Sequence, residues 1–200
     1  TEVQVTRKVR VGIISTGDEI VDCTAAAPPG KIRNINSITL GASARRLGAE
    51  VTDYGIVPDT REHFFPTIEK AVQDNDLVMF SGGSSVGMKD LGEQAISELG
   101  DPGILVHGVS LKPGKPVIIG LCGNIPVFGL PGHPVSALVC FSLFVEPAVL
   151  KLSGRRDNEP VRPPPVTAQL QRSINSAAGR LDIVRVRIER VGDALLAFPV

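Results

Sequence analysis

Short apolar runs alternate along the first half of the chain with segments whose apolar residues recur at helical spacing. Each run ends in turn-forming or acidic residues, which is typical of a buried strand that delivers polar side chains at its carboxyl end. Repeated strand–helix–strand units predict an α/β fold with a mostly parallel sheet and helices on both faces, in three layers. The strands are expected over 9–15, 50–57 and 77–80, and the helices over 38–47 and 62–72, the second with Phe65, Ile68 and Val72 on one face.

The second half predicts more strands, a long helix and a domain boundary. Residues 153–165 are polar and rich in proline, which is typical of a linker. We therefore expect an α/β domain over 1–152, a linker over 153–165 and the truncated start of a small β domain over 166–200. The further elements are helices at about 91–99 and 134–152 and strands over 104–111, 116–121, 125–130, 166–171, 182–190 and 195–198.

The apolar stretch Pro134–Leu152 is interpreted as a buried helix rather than a membrane span, because Glu146 and Pro147 lie within it. Hydrophobic residues make up 42% of the chain, which excludes global disorder. The 3 cysteines form no CxxC pair and no zinc-binding spacing. Their odd number, without a signal peptide, predicts a reducing, cytoplasmic location.

Charge and aromatic content narrow the classes of partner. The 21 basic and 21 acidic residues give a formal charge of zero, and aromatic residues make up only 4% of the chain. This balance gives no support for nonspecific nucleic-acid binding, for a polybasic membrane contact or for base stacking. A local cationic pocket remains compatible with it.

The segment Ser81-Gly-Gly-Ser-Ser-Val-Gly87 joins the third predicted strand to a helix expected to begin near Asp90. Its glycines permit close backbone approach, so the N–H groups of the loop are candidates for cradling an anion. It matches neither a P-loop nor a dinucleotide-binding turn. The alternative is a plain strand-to-helix turn.

Two cations, Lys112 and Lys115, lie three residues apart in Lys-Pro-Gly-Lys-Pro. The prolines lower the entropy of ordering this turn, which suits a preorganised clamp for an oxyanion. Solvated surface lysines are the alternative.

A second proline-rich loop, Leu130-Pro-Gly-His-Pro-Val-Ser136, precedes the long helix. Pro134 fits the first helical turn, and Ser136 is placed to offer its hydroxyl to an anion. His133 is interpreted as a capping residue rather than a catalytic one.

Three carboxylates, Glu19, Asp59 and Asp90, each follow a predicted strand, with Asp18 as an alternate. Because ligands bind beyond the carboxyl ends of strands in such sheets, these side chains are candidates for holding a hard cation such as Mg²⁺. A lone Asp in a turn is otherwise a local hydrogen-bond acceptor.

Six motifs, in order across residues 9–152, resemble those of the molybdopterin molybdotransferases, whose eukaryotic counterparts include the C-terminal part of gephyrin. Each motif is modest alone, but six in order are highly specific. They are Ser15-Thr-Gly-Asp-Glu19, Gly30-Lys-Ile-Arg-Asn-Ile-Asn36, Gly55-Ile-Val-Pro-Asp59, Ser81-Gly-Gly-Ser-Ser-Val-Gly-Met-Lys-Asp90, Lys112-Pro-Gly-Lys-Pro116 and Leu130-Pro-Gly-His-Pro-Val-Ser-Ala137.

The resemblance implies an enzyme of molybdenum cofactor biosynthesis. The family hydrolyses adenylylated molybdopterin to release AMP and inserts molybdate into the dithiolene, using Mg²⁺. By position, Asp90, Asp59 and Glu19 match the catalytic acids, and Asp59 and Asp90 match the metal ligands. The matching substrate-binding positions are Gly82, Gly83, Ser84, Ser85, Lys112, Lys115, Pro131, Pro134, Ser136 and Arg180.

The resemblance also implies a homodimer when full length and a molybdopterin adenylyltransferase as partner. The family has two preceding domains, so this chain is expected to be a fragment or a reduced relative. It departs from the family at Asn34, where Asp is common, at His133, where Asn is usual, and at Met88 and Leu91, where acidic and Tyr residues are frequent. A molybdopterin adenylyltransferase and a noncatalytic molybdopterin-binding module are the alternatives, and the Lys112–Pro116 turn favours the molybdotransferase.

Overall fold

A computed structural model describes residues 2–82, 86–155 and 164–200. The strands are β1 (Arg10–Thr16), β2 (Ile20–Val21), β3 (Ile32–Arg33), β4 (Glu50–Val57), β5 (Leu77–Gly82), β6 (Gly103–His107), β7 (Leu111–Lys112), β8 (Ile118–Cys122), β9 (Ile125–Leu130), β10 (Gln169–Leu170), β11 (Leu181–Asp182), β12 (Val186–Val191) and β13 (Ala194–Pro199). The helices are α1 (Asn36–Arg46), α2 (Arg61–Asp74), α3 (Val86–Leu99), α4 (Pro134–Cys140) and α5 (Glu146–Leu152), with a π-helical turn over Phe141–Val145 between the last two.

The central sheet has six strands in the order β4-β1-β5-β9-β8-β6. The first four are parallel to one another, and β8 is antiparallel to both of its neighbours. The predicted α/β fold with a mostly parallel sheet is therefore confirmed. The short strand β8 follows β6 and precedes β9 without a crossover helix, which is why it runs the other way.

Helices cover both faces of the sheet, because successive residues of its strands point to opposite sides. On one face Val11 and Ile13 of β1 pack with Leu40 of α1 and with the long helix of residues 134–152. On the other face Ile14 packs with α2 and with Ile96 of α3. The two cores lie on either side of the parallel pair β1 and β5, which is buried except at Arg10.

The inner face of α2 differs from the predicted one. Phe64, Ile68 and Ala71 are fully buried, whereas Phe65 and Val72 are only partly buried. The guanidinium of Arg61 lies 3.9 Å from the centre of the Phe65 ring and covers it on the outside of the helix. The buried face therefore keeps Ile68 but is turned towards Phe64 and Ala71 relative to the sequence prediction.

Several predicted boundaries were wrong where the chain turns or pairs nonlocally. The helix expected near Asp90 begins at Val86, and the strand expected over 104–111 divides into β6 and β7 at Gly108, whose φ is +78°. The strand expected over 182–190 divides because β11 pairs with β7, while β12 pairs with β13. The strand expected over 166–171 is reduced to β10.

The stretch Pro134–Leu152 is the one helix among the described residues that is long and apolar enough to cross a membrane by length and composition. A helix in the core of a folded domain has the same length and composition. One face of the stretch, including Ala137, Phe141 and Val145, packs into the core, and 33% of the apolar window is buried, so the prediction of a buried helix is confirmed for that face only. On the outer face, Val135 is 39% exposed.

The amino-terminal segment is fastened to the sheet by Asp76, which precedes β5. Arg7 donates to Oδ1 of Asp76 at 2.7 Å, and the backbone N–H of Arg10 donates to Oδ2 at 2.9 Å. The Arg7 guanidinium, together with Arg10, holds the pKa of the Asp76 carboxyl far below its usual range.

Gly92→Ala in α3 is expected to lower the free energy of unfolding by about 1–3 kcal/mol, because a Cβ there would lie 2.5 Å from the Phe80 ring and the core would have to shift. Gly41→Ala, in the interior of α1, is the matched control. Its Cβ would meet the movable end of Arg45, and the higher helix propensity of Ala adds up to about 1 kcal/mol. Urea unfolding measures both, and equal effects would contradict the packing assigned to Phe80.

Asp76→Asn is expected to destabilise the chain at pH 7 by removing the charge that binds Arg7 and Arg10. Because the pKa of Asp76 is lowered on folding, its contribution is complete above the unfolded value of about 4 and is lost as the pH falls through the folded value. Urea unfolding should therefore show the gap between wild type and variant narrowing as the pH falls below about 4. Asp193→Asn, in the exposed turn between β12 and β13, is the control. A gap that stays constant down to pH 2 would contradict the assignment.

Candidate functional site

The four parallel strands end along one edge of the sheet, here called the carboxyl edge. β1 leads into the loop 17–19, β4 leads into Asp59, β5 ends at Gly82, and β9 leads into the loop 131–133. Open α/β sheets bind ligands beyond this edge. Most of the candidate site residues follow the end of one of these strands in the sequence.

Asp59 is held against the end of β1 by two hydrogen bonds. The hydroxyl of Thr16 donates to Oδ1 of Asp59, and the backbone N–H of Asp18 donates to the same carboxyl group. Burial raises the pKa of Asp59, the hydrogen bond from Thr16 opposes the rise, and the nearby charges of Asp18 and Glu19 add to it. Asp59, Glu19 and the alternate Asp18 therefore form one electrostatic group.

The loop that carries Glu19 depends on a glycine and on a neighbouring segment. Gly17 has a φ of +145°, and a Cβ there would lie 2.9 Å from Oε2 of Glu19. The ammonium group of Lys31 donates to the carbonyl of Asp18 at 2.6 Å, and the N–H of Ile32 donates to the carbonyl of Glu19 at 2.8 Å. The loop is thus braced by β3, which pairs with β2 beside it.

Asn34, where Asp was expected from the resemblance, lies buried behind this loop. Its Nδ2 donates to Oγ of Ser15 at 3.0 Å, and its Oδ1 accepts from the N–H of Ser37 at 3.3 Å. Both ends of the amide therefore have partners. Asn34 joins β1 to the start of α1.

The turn with the two lysines is anchored by Gly114 and leaves both lysines exposed. A Cβ at Gly114 would lie 2.7 Å from Sγ of Cys140, and the thiol donates to the Gly114 carbonyl at 3.4 Å. Burial raises the pKa of this thiol to about 11. The turn therefore rests on α4 while Lys112 and Lys115 face outward.

The start of the C-terminal segment meets the same turn. β11 pairs with β7, so that Asp182 lies opposite Lys112. Arg180 donates from Nε to Oδ1 of Asp182 at 2.6 Å, and Ser110 donates to the Gly179 carbonyl at 2.6 Å. The Arg180 guanidinium, and to a lesser degree Lys112, lowers the pKa of Asp182. Arg180 and Lys112 are thus brought to one carboxylate.

The second proline-rich loop has the predicted arrangement. Pro134 is the first residue of α4, and His133 is its N-cap without a hydrogen bond from its side chain to the helix. Pro131 is buried, and Ser136 is partly buried in the first turn of the helix.

Asp90 lies apart from this group in its contacts. It is an exposed residue of α3 and lines a shallow groove of about 350 Å³ with Glu93, Gln94, Ser97 and Glu98. Across residues 2–82, 86–155 and 164–200, no three His, Cys, Asp or Glu side chains are close enough to hold a metal ion by themselves. The predicted binding residues Gly83, Ser84 and Ser85 lie outside the described residues.

Sequence reasoning did not single out Thr16 and Asn36. Thr16 is fully buried and holds Asp59, and Asn36 donates from Nδ2 to the Gly132 carbonyl at 2.8 Å. Both lie inside the motifs that carry the family resemblance. Their contacts join distant parts of the chain, so the motifs alone do not show which partner each residue meets.

Comparison with known proteins gives one family for most of the chain. A family described as "Probable molybdopterin binding domain" matches residues 12–151. The molybdopterin molybdenumtransferase of Haemophilus influenzae is 36% identical over 184 residues, covering 92% of this chain and 45% of that protein. The enzyme of the same name from Nostoc sp. is 40% identical over 156 residues, covering 76% of this chain and 36% of that protein.

A solved structure shows the same arrangement. The molybdopterin biosynthesis MoeA protein from Pyrococcus horikosii superposes with a TM-score of 0.79 at 38% identity, covering 97% of this chain and 45% of that one. The chain therefore spans less than half the length of these relatives.

Asp59→Asn is expected to become more stable relative to wild type as the pH rises from 4 to 8. Because the folded pKa of Asp59 is raised, the ionised carboxylate opposes folding, and the stability present at low pH is lost as the pH rises through the folded pKa. The variant lacks that ionisation. Urea unfolding of both proteins across this pH range measures the difference in stability. Asp53→Asn, at an exposed position of β4, is the control. Parallel pH profiles for Asp59→Asn and wild type would contradict the raised pKa.

Proposed function

The chain belongs to the molybdopterin-binding domain family, and on that premise we propose that it is the molybdopterin-binding part of a molybdopterin molybdenumtransferase. Its role would be in molybdenum cofactor biosynthesis. Because the chain spans less than half of its relatives, the complete activity is a proposal about the full-length protein.

The observation that carries this proposal is the grouping at the carboxyl edge. Asp59, held by Thr16 and raised in pKa by burial, lies with Glu19 within the 12–151 match. A carboxylate held in this way at a strand end costs stability, and such groups are typical of functional sites. Fold similarity alone would not supply this chemistry.

The donor chemistry of this group fits Mg²⁺. Mg²⁺ prefers oxygen ligands and is commonly held by one or two carboxylates together with waters and substrate phosphates, so a closed cage of protein ligands is not needed. Asp59 would hold the ion from this group, and Asp90, which shares no described contact with Asp59 or Glu19, would reach it as the second ligand that the resemblance implies. When bound, it would offset negative charge on the phosphate oxygens of the substrate.

Different residues of the chain would bind the two anionic substrates, molybdate and adenylylated molybdopterin. Lys112, Lys115 and Ser136 would bind molybdate by charge-assisted hydrogen bonds, and Arg180 would approach from the C-terminal segment. Glu19 would orient groups around Asp59. Pro131 and Pro134 would keep the loop beside the pocket rigid, and the backbone from Gly82 to Ser85 would bind the pterin substrate.

In the proposed reaction one water molecule cleaves the phosphoanhydride bond of adenylylated molybdopterin, which gives AMP and the phosphate of molybdopterin. The two dithiolene sulfurs then bind molybdate, and one molybdate oxygen leaves with two protons as water. The preceding step must be an adenylyl transfer to molybdopterin, so a molybdopterin adenylyltransferase is the expected partner. A homodimer of the full-length protein and a cytoplasmic location belong to the same proposal.

Lys115→Ala in the full-length protein is expected to raise the molybdate concentration for half-maximal AMP release by about 10- to 150-fold, because one charge-assisted contact of roughly 1.5–3 kcal/mol is lost. Release of AMP from adenylylated molybdopterin is followed as molybdate is added. Lys151→Ala, an exposed lysine of α5, is the control.

The wild type decides between the candidate functions in the same assay. Release of AMP that depends on molybdate supports the molybdotransferase. Transfer of AMP from ATP to molybdopterin without molybdate would identify an adenylyltransferase, and binding without turnover would identify a noncatalytic module. An unchanged half-saturation in Lys115→Ala would remove that lysine from the molybdate site.

A further inference from the structure

One buried polar atom beside the carboxyl edge has no partner. Asn36, the first residue of α1, is 7% exposed, and its Nδ2 donates to the carbonyl of Gly132 at 2.8 Å. Its Oδ1 accepts no hydrogen bond, and within residues 2–82, 86–155 and 164–200 no other buried side-chain nitrogen or oxygen is in that position. A buried acceptor without a donor costs free energy, so a donor from outside the chain is expected at this atom.

The orientation of the amide follows from its neighbour. The Gly132 carbonyl is an acceptor, so the NH₂ group of Asn36 must face it, and a flipped amide would place two oxygens against each other. Oδ1 therefore points away from Gly132 with lone pairs that only a donor can satisfy. Asn34, two residues earlier in the chain, donates its own amide to Ser15.

Asn36 also lies where a ligand would be expected. Its contact with Gly132 reaches the loop that follows β9, and the neighbouring Asn34 contacts the last turn of β1. β1 and β9 flank β5 in the sheet, so Asn34 and Asn36 together link the ends of the two strands on either side of β5. This is the carboxyl edge at which open α/β sheets take their ligands.

We infer that Asn36 is a ligand-recognition residue whose Oδ1 accepts a hydrogen bond from an N–H donor of a heterocycle bound at the carboxyl edge. The class of ligand rests on the proposed function, which brings a pterin and an adenine to this edge. The pterin offers its 2-amino and N3–H groups, and the adenine offers its 6-amino group. Molybdate has no such donor and would be repelled by the amide oxygen.

The recognition is coupled to the loop over 131–133. Oδ1 is buried in the structure, so a ligand donor reaches it only after a local movement, and we place that movement in this loop. The bond from Nδ2 to Gly132 joins the loop to the same side chain. Selectivity for an N–H edge would follow, because a ring that lacks the donor would leave the buried oxygen unsatisfied.

Two substitutions separate the two ends of the amide. Asn36→Leu removes both the acceptor and the donor, whereas Asn36→Asp keeps an oxygen acceptor and loses the NH₂ group facing Gly132. Asn75→Leu is the matched control, because Asn75 is a buried asparagine whose amide is bonded at the opposite edge of the sheet. It should lower stability without changing ligand affinity.

The probes are pterin-6-carboxylate, a stable fluorescent pterin with the same N–H donors, and AMP, each titrated into the full-length protein. Asn36→Leu is expected to weaken the recognised probe by about 10- to 100-fold, with Asn36→Asp within about threefold of wild type. Weakening of the pterin alone identifies the pterin as the donor, and weakening of AMP alone identifies the adenine. If Asn36→Leu does not fold, Asn36→Ala replaces it, and the side-chain amide resonance of Asn36 in wild type must shift on addition of the probe.

Three outcomes would overturn the inference. Unchanged affinity for both probes in a folded Asn36→Leu would mean that a water molecule serves Oδ1, and the proposed function would stand. Equal weakening in the Leu and Asp variants would mean that Asn36 acts only by holding Gly132. Failure of the wild type to bind either probe would overturn the proposed function itself, and the inference with it.

Discussion

Parallel pairing of β1 with both β4 and β5 places Thr16 opposite Val57 on one side and Gly82 on the other. This register is fixed by apolar side chains on both faces of β1, since a shift of one residue would turn each of them to the wrong core. The polar residues that follow each strand are therefore placed at the carboxyl edge by the register of the strands, and not by their own contacts. Asp59 contacts Thr16 at the end of β1 because the pairing of β1 with β4 fixes where β4 ends.

The ionised acids at the carboxyl edge lower the stability of the fold. The buried amide of Asn34 is paired with Ser15 and Ser37, whereas Asp59 places a partly buried carboxylate beside two other acids. The two cores, with Phe64 and Phe80 packed edge to face at 5.4 Å, supply the stability that offsets this cost. The two cores thus stabilise the fold and the acids at the carboxyl edge destabilise it, although both are carried by the same strands.

The sequence predicts most of this scaffold because apolar runs are local. Glu50–Val57, Ile125–Leu130 and Pro134–Leu152 begin and end in the structure where the pattern predicts. The strand expected over 182–190 failed because Leu181 and Asp182 find their partner seventy residues away, which no local periodicity encodes. The same holds for the site: acids and lysines could be identified by type, but the Thr16–Asp59 and Asn36–Gly132 contacts depend on tertiary structure.

The contact between Gly114 and Cys140 ties the lysine-bearing turn to the long helix with no space between them. A larger residue at either position pushes the other away, so neither is free to vary by itself. Gly114 also needs its φ of +122°, which keeps a side chain from appearing there. Over evolutionary time position 140 must therefore stay small wherever the turn keeps its glycine.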